Sequence, residues 1–357
     1  MSAIADAVED AAERLFRTSV TRAVMEASEQ GFLDAAVWAA YAALEFTQLL
    51  AVEPHGLDDE ADATAAAFRL ALLTGRWHVP LPVVETLVGH RLLSFLGRDA
   101  TSSLVIPVTD ELHASKVGEA WRFRGVGRRV PWARHAHGFV LLADGPDGPL
   151  LGACAARVDG IVIDEGRNLA GEPRDGVEVD VVLSDVVPLT ADRAEAIRDL
   201  AALLKAAAIV GAAEAVLERT VVHAGDRVQF GRPIGQFQAV QQQLAVLAGE
   251  IVSARAACEL GFRAPAGGDW RRTAIAKIRA GVAAGLAAEV GHQVHGAIGI
   301  AAEYDLHRFT QRLWSWRAEN GSEAHWADRL GRHVIRRGPG SLWSDLTELN
   351  LAGAVTG

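Results

Sequence analysis

The stretch Pro173-Arg174-Asp175-Gly176-Val177-Glu178-Val179-Asp180-Val181-Val182-Leu183 is a turn followed by a run in which apolar and acidic residues alternate. Alternation with a period of two sends one set of side chains to a core and the other to water, so the run reads as a half-buried β-strand. Upstream, Leu104-Val105-Ile106, Trp121-Arg122-Phe123, Phe139-Val140-Leu141-Leu142 and Ile161-Val162-Ile163 are short and rich in β-branched or aromatic residues. Gly145-Pro146-Asp147-Gly148-Pro149 and Asp159-Gly160 separate them, and residues of this kind mark turns. Residues 99–189 therefore predict a small antiparallel β domain.

On both sides the period changes to that of a helix. Downstream, Thr190 or Asp192 can cap a long helix running towards Thr220. Phe237, Val240, Leu244, Leu247, Ile251 and Cys258 recur at three-four spacing on one face of a second helix. A third runs from about Trp270 to His295. Alanine-rich helices with narrow apolar stripes suit close packing, so residues 190–357 read as a C-terminal four-helix-type bundle. Upstream, Ala36, Ala39, Ala40 and Ala43, with Leu44, Leu49 and Leu50, recur at helical spacing, and Pro54-His55-Gly56 and Pro80-Leu81-Pro82 interrupt the run. Residues 1–98 read as an N-terminal helical domain. The expected fold class is α+β, in the order helical domain, β domain, bundle.

The chain has 357 residues, half of them hydrophobic, which is enough for a large core and argues against wholesale disorder. Its net charge of −10 argues against a general nucleic-acid binder, because phosphate neutralisation needs a basic face. Lys116, Lys205 and Lys277 are the only lysines, so arginine carries nearly all the positive charge. Cys154 and Cys258 are too few and too far apart for a disulfide scaffold or a zinc cluster and fit a reducing cytoplasm. The N-terminal residues mix acids into the first turns, unlike a signal peptide, and no apolar window predicts a membrane span.

Two C-terminal segments are the most informative. One is Arg227-Val228-Gln229-Phe230-Gly231-Arg232-Pro233-Ile234-Gly235-Gln236-Phe237-Gln238, followed by Gln241 and Leu244-Ala245. The other is His292-Gln293-Val294-His295-Gly296-Ala297-Ile298-Gly299, followed by Glu303-Tyr304 and Leu306. An arginine in a turn between helices can hold a pyrophosphate by paired bonds, and glycines let a backbone approach a dinucleotide. The two segments, in this order, resemble the acyl-CoA dehydrogenase family over most of residues 190–337. The resemblance implies an acyl-CoA dehydrogenase-like fold and an FAD cofactor. It implies that Arg227, Gln229, Phe230, Gln293, Gly296 and Gly299 bind the ADP half of an FAD whose flavin sits in a neighbouring subunit.

The resemblance also bears on chemistry. Trp314-Ser315-Trp316-Arg317-Ala318-Glu319-Asn320-Gly321-Ser322-Glu323 falls where the family has a Tyr-Glu-Gly-Thr-Ser-Glu-like loop. By that match Glu319 is the base that removes the α-proton of an acyl-CoA thioester as the flavin takes the β-hydride, giving a trans-2-enoyl-CoA. A second family branch places its base near Leu200 to Ala202, where this chain has no glutamate. Such a base needs an apolar surrounding to raise its pKa, which the two tryptophans are expected to supply. The implied partners are the acyl-CoA substrate, an electron-transferring flavoprotein and further subunits in a homo- or hetero-oligomer.

The β domain departs from the family pattern. Leu104-Val105-Ile106-Pro107-Val108-Thr109-Asp110 stands where members carry Thr-Glu-Pro-Gly, and Arg129-Val130-Pro131-Trp132 stands at Trp-Ile-Thr-Asn. Pro131 has neither an N–H nor a hydroxyl to offer a flavin. Gly125-Val126-Gly127-Arg128-Arg129-Val130-Pro131 and Thr74-Gly75-Arg76-Trp77-His78-Val79-Pro80 resemble instead a short, divergent actinobacterial branch. That branch includes subunits that pair with a second dehydrogenase subunit to act on steroid side-chain CoA thioesters. The alternative reading is therefore a non-catalytic partner subunit that keeps the ADP half-site.

Other signals are weaker. Gly125-x-Gly127 lacks the third glycine and helix of a dinucleotide fingerprint. His292 and His295 have the spacing of a metal pair but no third ligand, so no metal site is expected. His135 and His137 read as surface residues, and Asp58-Asp59-Glu60 as a solvated loop.

Overall fold

The computed structural model describes residues 2–51, 57–99, 103–263 and 269–340. The expected break at Pro54-His55-Gly56 lies outside these residues. The chain divides into two compact units, Met1–Ala67 with Pro80–Ala201, and Phe68–Val79 with Ala202–Gly357.

The first stretch is helical: α1 (Ala3–Ser19), α2 (Arg22–Glu29), α3 (Ala35–Ala42), α4 (Leu57–Arg76) and α5 (Val83–Phe95). Residues 58–60 belong to α4, so the acidic run there is not a loop. On α3 the buried face is Val37, Trp38, Tyr41 and Ala42, while Ala36, Ala39, Ala40 and Ala43 face solvent. Burying an indole and a phenol removes far more apolar surface from water than burying methyl groups, so the aromatic face wins.

Eight strands follow: β1 (Val105–Val108), β2 (Leu112–Val117), β3 (Ala120–Pro131), β4 (Gly138–Gly145), β5 (Gly148–Ala155), β6 (Ile161–Asp164), β7 (Arg174–Leu183) and β8 (Val186–Pro188). They form one sheet in the order β6-β7-β3-β2-β4-β5-β8, with β1 beside β4. Most pairs are antiparallel, as the turns predict, but β1 and β2 each run parallel to β4. On β7 the alternation holds: Val177, Val179 and Val181 are buried while Glu178 and Val182 are exposed.

The rest is the bundle. Helix α6 (Ala191–Asp226) is 36 residues long, and the Thr190 hydroxyl accepts the Arg193 N–H at its start. A two-strand ribbon, β9 (Val228–Gln229) and β10 (Arg232–Pro233), leads to α7 (Gln238–Phe262). Next come α8 (Trp270–His295), α9 (Leu306–Trp316) and α10 (Glu323–Arg337). The α7 stripe is buried only in its second half, at Leu247, Ile251 and Cys258, whereas Phe237, Val240 and Leu244 are half-buried. Of the described helices α6 alone is long and apolar enough to cross a membrane, yet 83% of its apolar window is buried within the protein.

Candidate functional site

The Arg227 segment and the Gln293 segment meet at one end of the bundle. The rings of His223 on α6 and His295 on α8 stack with centroids 4.4 Å apart. His295 Nδ1 lies 2.8 Å from the Gly291 carbonyl and Nε2 lies 3.0 Å from the Tyr304 hydroxyl. Burial lowers the pKa of both histidines, and Arg227 lowers that of His223 further. Stacked neutral imidazoles avoid setting two charges against each other.

Arg227 N–H donates to the His223 carbonyl at 2.9 Å, so the arginine leaves α6 four residues beyond that stack. Its carbonyl accepts the Ile234 N–H at 2.8 Å, which closes the ribbon. Phe230 sits at the ribbon's tip with φ 52° and is 93% exposed. At the end of α8, Gln293 and Gly296 are exposed, and Gly296 has φ 62°. Gly299 is buried, and a Cβ there would lie 3.2 Å from His292 Nδ1.

Arg227, Gln229, Gln293 and Gly296 are thus exposed where α6 and α8 end, while Gly299 is buried. They fit the phosphate-bearing half of a dinucleotide. The exposed Phe230 ring meets Phe237 edge-on, with centroids 6.1 Å apart. His292 and His295 do not form a metal pair, because His292 Nε2 lies 2.8 Å from the Thr310 hydroxyl while His295 takes the partners above.

The stretch that would serve a flavin ring does not fit one. Pro131 closes β3. The Trp132 N–H donates to the Pro173 carbonyl at 3.2 Å, and the Trp132 indole is buried in a left-handed backbone with φ 57°. The N–H of Arg134 donates to Asp175 at 2.9 Å, and those of His135 and Ala136 close a short turn. Asp175 is fully buried and also takes Arg134 Nη2 at 2.6 Å and the Gly166 N–H at 3.1 Å. These backbone donors are consumed internally. His135 is half-buried rather than on the surface, its ring nitrogen 2.8 Å from the Gly31 carbonyl.

Glu319 lies in a different setting from the apolar pocket expected of a base. Its carboxylate is 3.1 Å from Lys205 Nζ, and the two side chains are 12% and 5% exposed. Lys277 Nζ donates to the Glu319 carbonyl at 2.7 Å and to the Arg317 carbonyl at 3.4 Å. Trp316 is buried with Lys205 over its ring at 5.4 Å, while Trp314 is exposed. Asn320 and Gly321 then turn through left-handed backbone, with φ 54° and 91°. Gly321 packs on Trp326, whose indole N–H donates to the Asn320 carbonyl at 3.0 Å.

Sequence reasoning missed His223, Tyr304, Lys205 and Lys277. The lysines carried a usable signal: two of the three in an arginine-rich chain stand in predicted apolar helices.

Residues 198–335 match the model of the acyl-CoA dehydrogenase C-terminal domain. The acyl-CoA dehydrogenase IpdE2 of Mycobacterium tuberculosis is 39% identical over 150 residues, which is 41% of this chain and 43% of that protein. IpdE2 of Mycolicibacterium smegmatis is 33% identical over 157 residues, 43% of this chain and 50% of that protein. The matched stretch thus spans half or less of these relatives. Among solved structures, the Tcur3481-Tcur3483 steroid ACAD matches with a TM-score of 0.83 and 24% identity, covering 93% of this chain and 98% of that one. The ChsE4-ChsE5 complex from Mycobacterium tuberculosis matches with 0.82 and 20%, covering 95% and 99%. The fold is that of the acyl-CoA dehydrogenases over the matched residues.

Proposed function

We propose that this chain is a subunit of a heteromeric acyl-CoA dehydrogenase and supplies the ADP half-site for an FAD whose flavin is enclosed by another chain. One contrast carries the reading. Arg227, Gln229, Gln293 and Gly296 gather exposed at one bundle end, whereas the backbone N–H groups of Trp132, Arg134, His135 and Ala136 are consumed internally. Two similar solved structures, the Tcur3481-Tcur3483 steroid ACAD and the ChsE4-ChsE5 complex, pair differently named proteins, which supports a mixed assembly.

In this role Arg227 offers a two-pronged donor to the pyrophosphate. Gln293 adds amide contacts, and glycine at 296 keeps a Cβ out of the approach, while Gly299 serves the packing against Leu306, His295 and His292. The bound flavin supplies the hydride acceptor of an α,β-dehydrogenation of an acyl-CoA thioester. The steroid ACAD likeness points to a steroid side-chain thioester as substrate, and electrons would pass to an electron-transferring flavoprotein.

Flavin absorbance of the purified chain, alone and co-expressed with a second acyl-CoA dehydrogenase subunit, tests this. The chain alone should lose its flavin on dialysis, and the mixed assembly should keep it. Retention of one FAD per chain by the chain alone would overturn the reading.

A further inference from the structure

The bundle interior holds a charge cluster that the ADP half-site does not use. Lys205 comes from α6, Lys277 from α8, and Glu319 from the turn after α9. Arg317 and Glu323 of α10 satisfy each other, with Arg317 Nε donating to Glu323 at 2.7 Å. Gly281 of α8 makes room for Glu323, since a Cβ there would lie 2.3 Å from its Cγ. From α7, the Cys258 thiol is fully buried, and burial raises its pKa, so it brings no charge. Among the described contacts, the Glu319 carboxylate meets Lys205 at 3.1 Å, and its charge also acts on Lys277.

A buried lysine is costly unless paired, and this chain spends two of its three lysines here. The two play different parts. Lys205 meets the Glu319 carboxylate, with the Trp316 ring on its other side. Lys277 grips the main chain at residues 317 and 319 and fixes the turn that aims the carboxylate. If Glu319 took up a proton, a neutral acid would be left against a buried ammonium.

We infer that Glu319 is a structural anion locked by Lys205 and Lys277, and that it is not the proton acceptor of an acyl-CoA dehydrogenation. The base then belongs to another chain of the assembly. The inference rests on the function proposed above only in taking that reaction as the assembly's activity.

The test compares K205M, E319Q and the double variant K205M/E319Q in the complete co-expressed assembly. Thermal midpoint, flavin absorbance and turnover per bound flavin are read on each. Each single variant removes one side of the buried Lys205–Glu319 pair, so its midpoint should fall by roughly 6–10 °C. The double variant removes both charges and should recover most of that loss. A double variant as unstable as the sum of the singles would overturn the lock. So would a hundredfold or greater loss of turnover in E319Q at normal flavin content, whatever its midpoint, because that is the size of effect expected of a positioned base. Absence of flavin from the native assembly would instead count against the proposed function.

Discussion

A lysine inside a bundle titrates where a surface lysine does not. Burial, set first against Glu319 and then helped by the Lys205 charge, lowers the Lys277 pKa from 10.5 to about 7. Glu323 and Cys258 also face it. Below about pH 7 the amine is protonated in the folded and unfolded chain alike, and the cost of burying its charge is fully present. Between about 7 and 10.5 only the unfolded chain holds the proton, so stability rises with pH, by at most about 1.4 kcal/mol per unit. Denaturant unfolding of the native protein and Lys277→Met from pH 6.5 to 9 measures this. The native protein should gain on the variant as pH rises, and a constant difference would refute the assignment. Arg227→Ala removes a charge-assisted contact worth about 1.5–3 kcal/mol, so FAD affinity should fall by roughly ten- to a hundredfold. Flavin retained by the dialysed assembly reads the loss directly, and unchanged retention would exclude Arg227 from the half-site.

At the scale of elements, α4 and α6 meet through backbone. A Cβ on Gly75 would lie 1.8 Å from the Ala208 carbonyl oxygen, and one on Gly211 would lie 1.9 Å from the Leu72 carbonyl oxygen. The neighbouring chain cannot yield as a side chain can, so Gly211→Val should destabilise by ~3 kcal/mol, visible as a lower unfolding midpoint. A variant with the native midpoint would mean that the helices can separate there at little cost. Period alone revealed that α6, α7 and α8 are helices, and alternation revealed β7. It did not reveal which helix faces meet, because an alanine run such as that of α6 looks much the same from every side. The parallel pairing of β1 and β2 with β4 was equally hidden, since a strand's pattern tells which face is buried and not the direction of its neighbour. The Trp132 turn was hidden for a related reason: its donors are taken by Pro173 and Asp175, more than forty residues away.

For the whole molecule, Val221, Val222, Val228, Phe230, Val246, Val252, Ile298 and Ile300 are exposed, all within the bundle sequence. In the mixed assembly proposed above, these side chains are the ones a second chain would cover. Val252→Asp and Ile300→Asp should each lower the assembled fraction in sedimentation velocity while leaving the helix content unchanged. An assembly indifferent to both charges would place the partner elsewhere. The order of helices, sheet and bundle was legible in the sequence, because hydrophobic period and turn residues act locally and survive in a linear reading. The sequence also singled out Arg227 and Gln293 as candidates for the proposed ADP half-site, since they sit in contiguous motifs whose residues are neighbours along the chain. Glu319's surroundings were decided only by the tertiary structure. Lys205 and Lys277 stand 114 and 42 residues before it, and a carboxylate's protonation depends on which charges packing brings within a few ångströms.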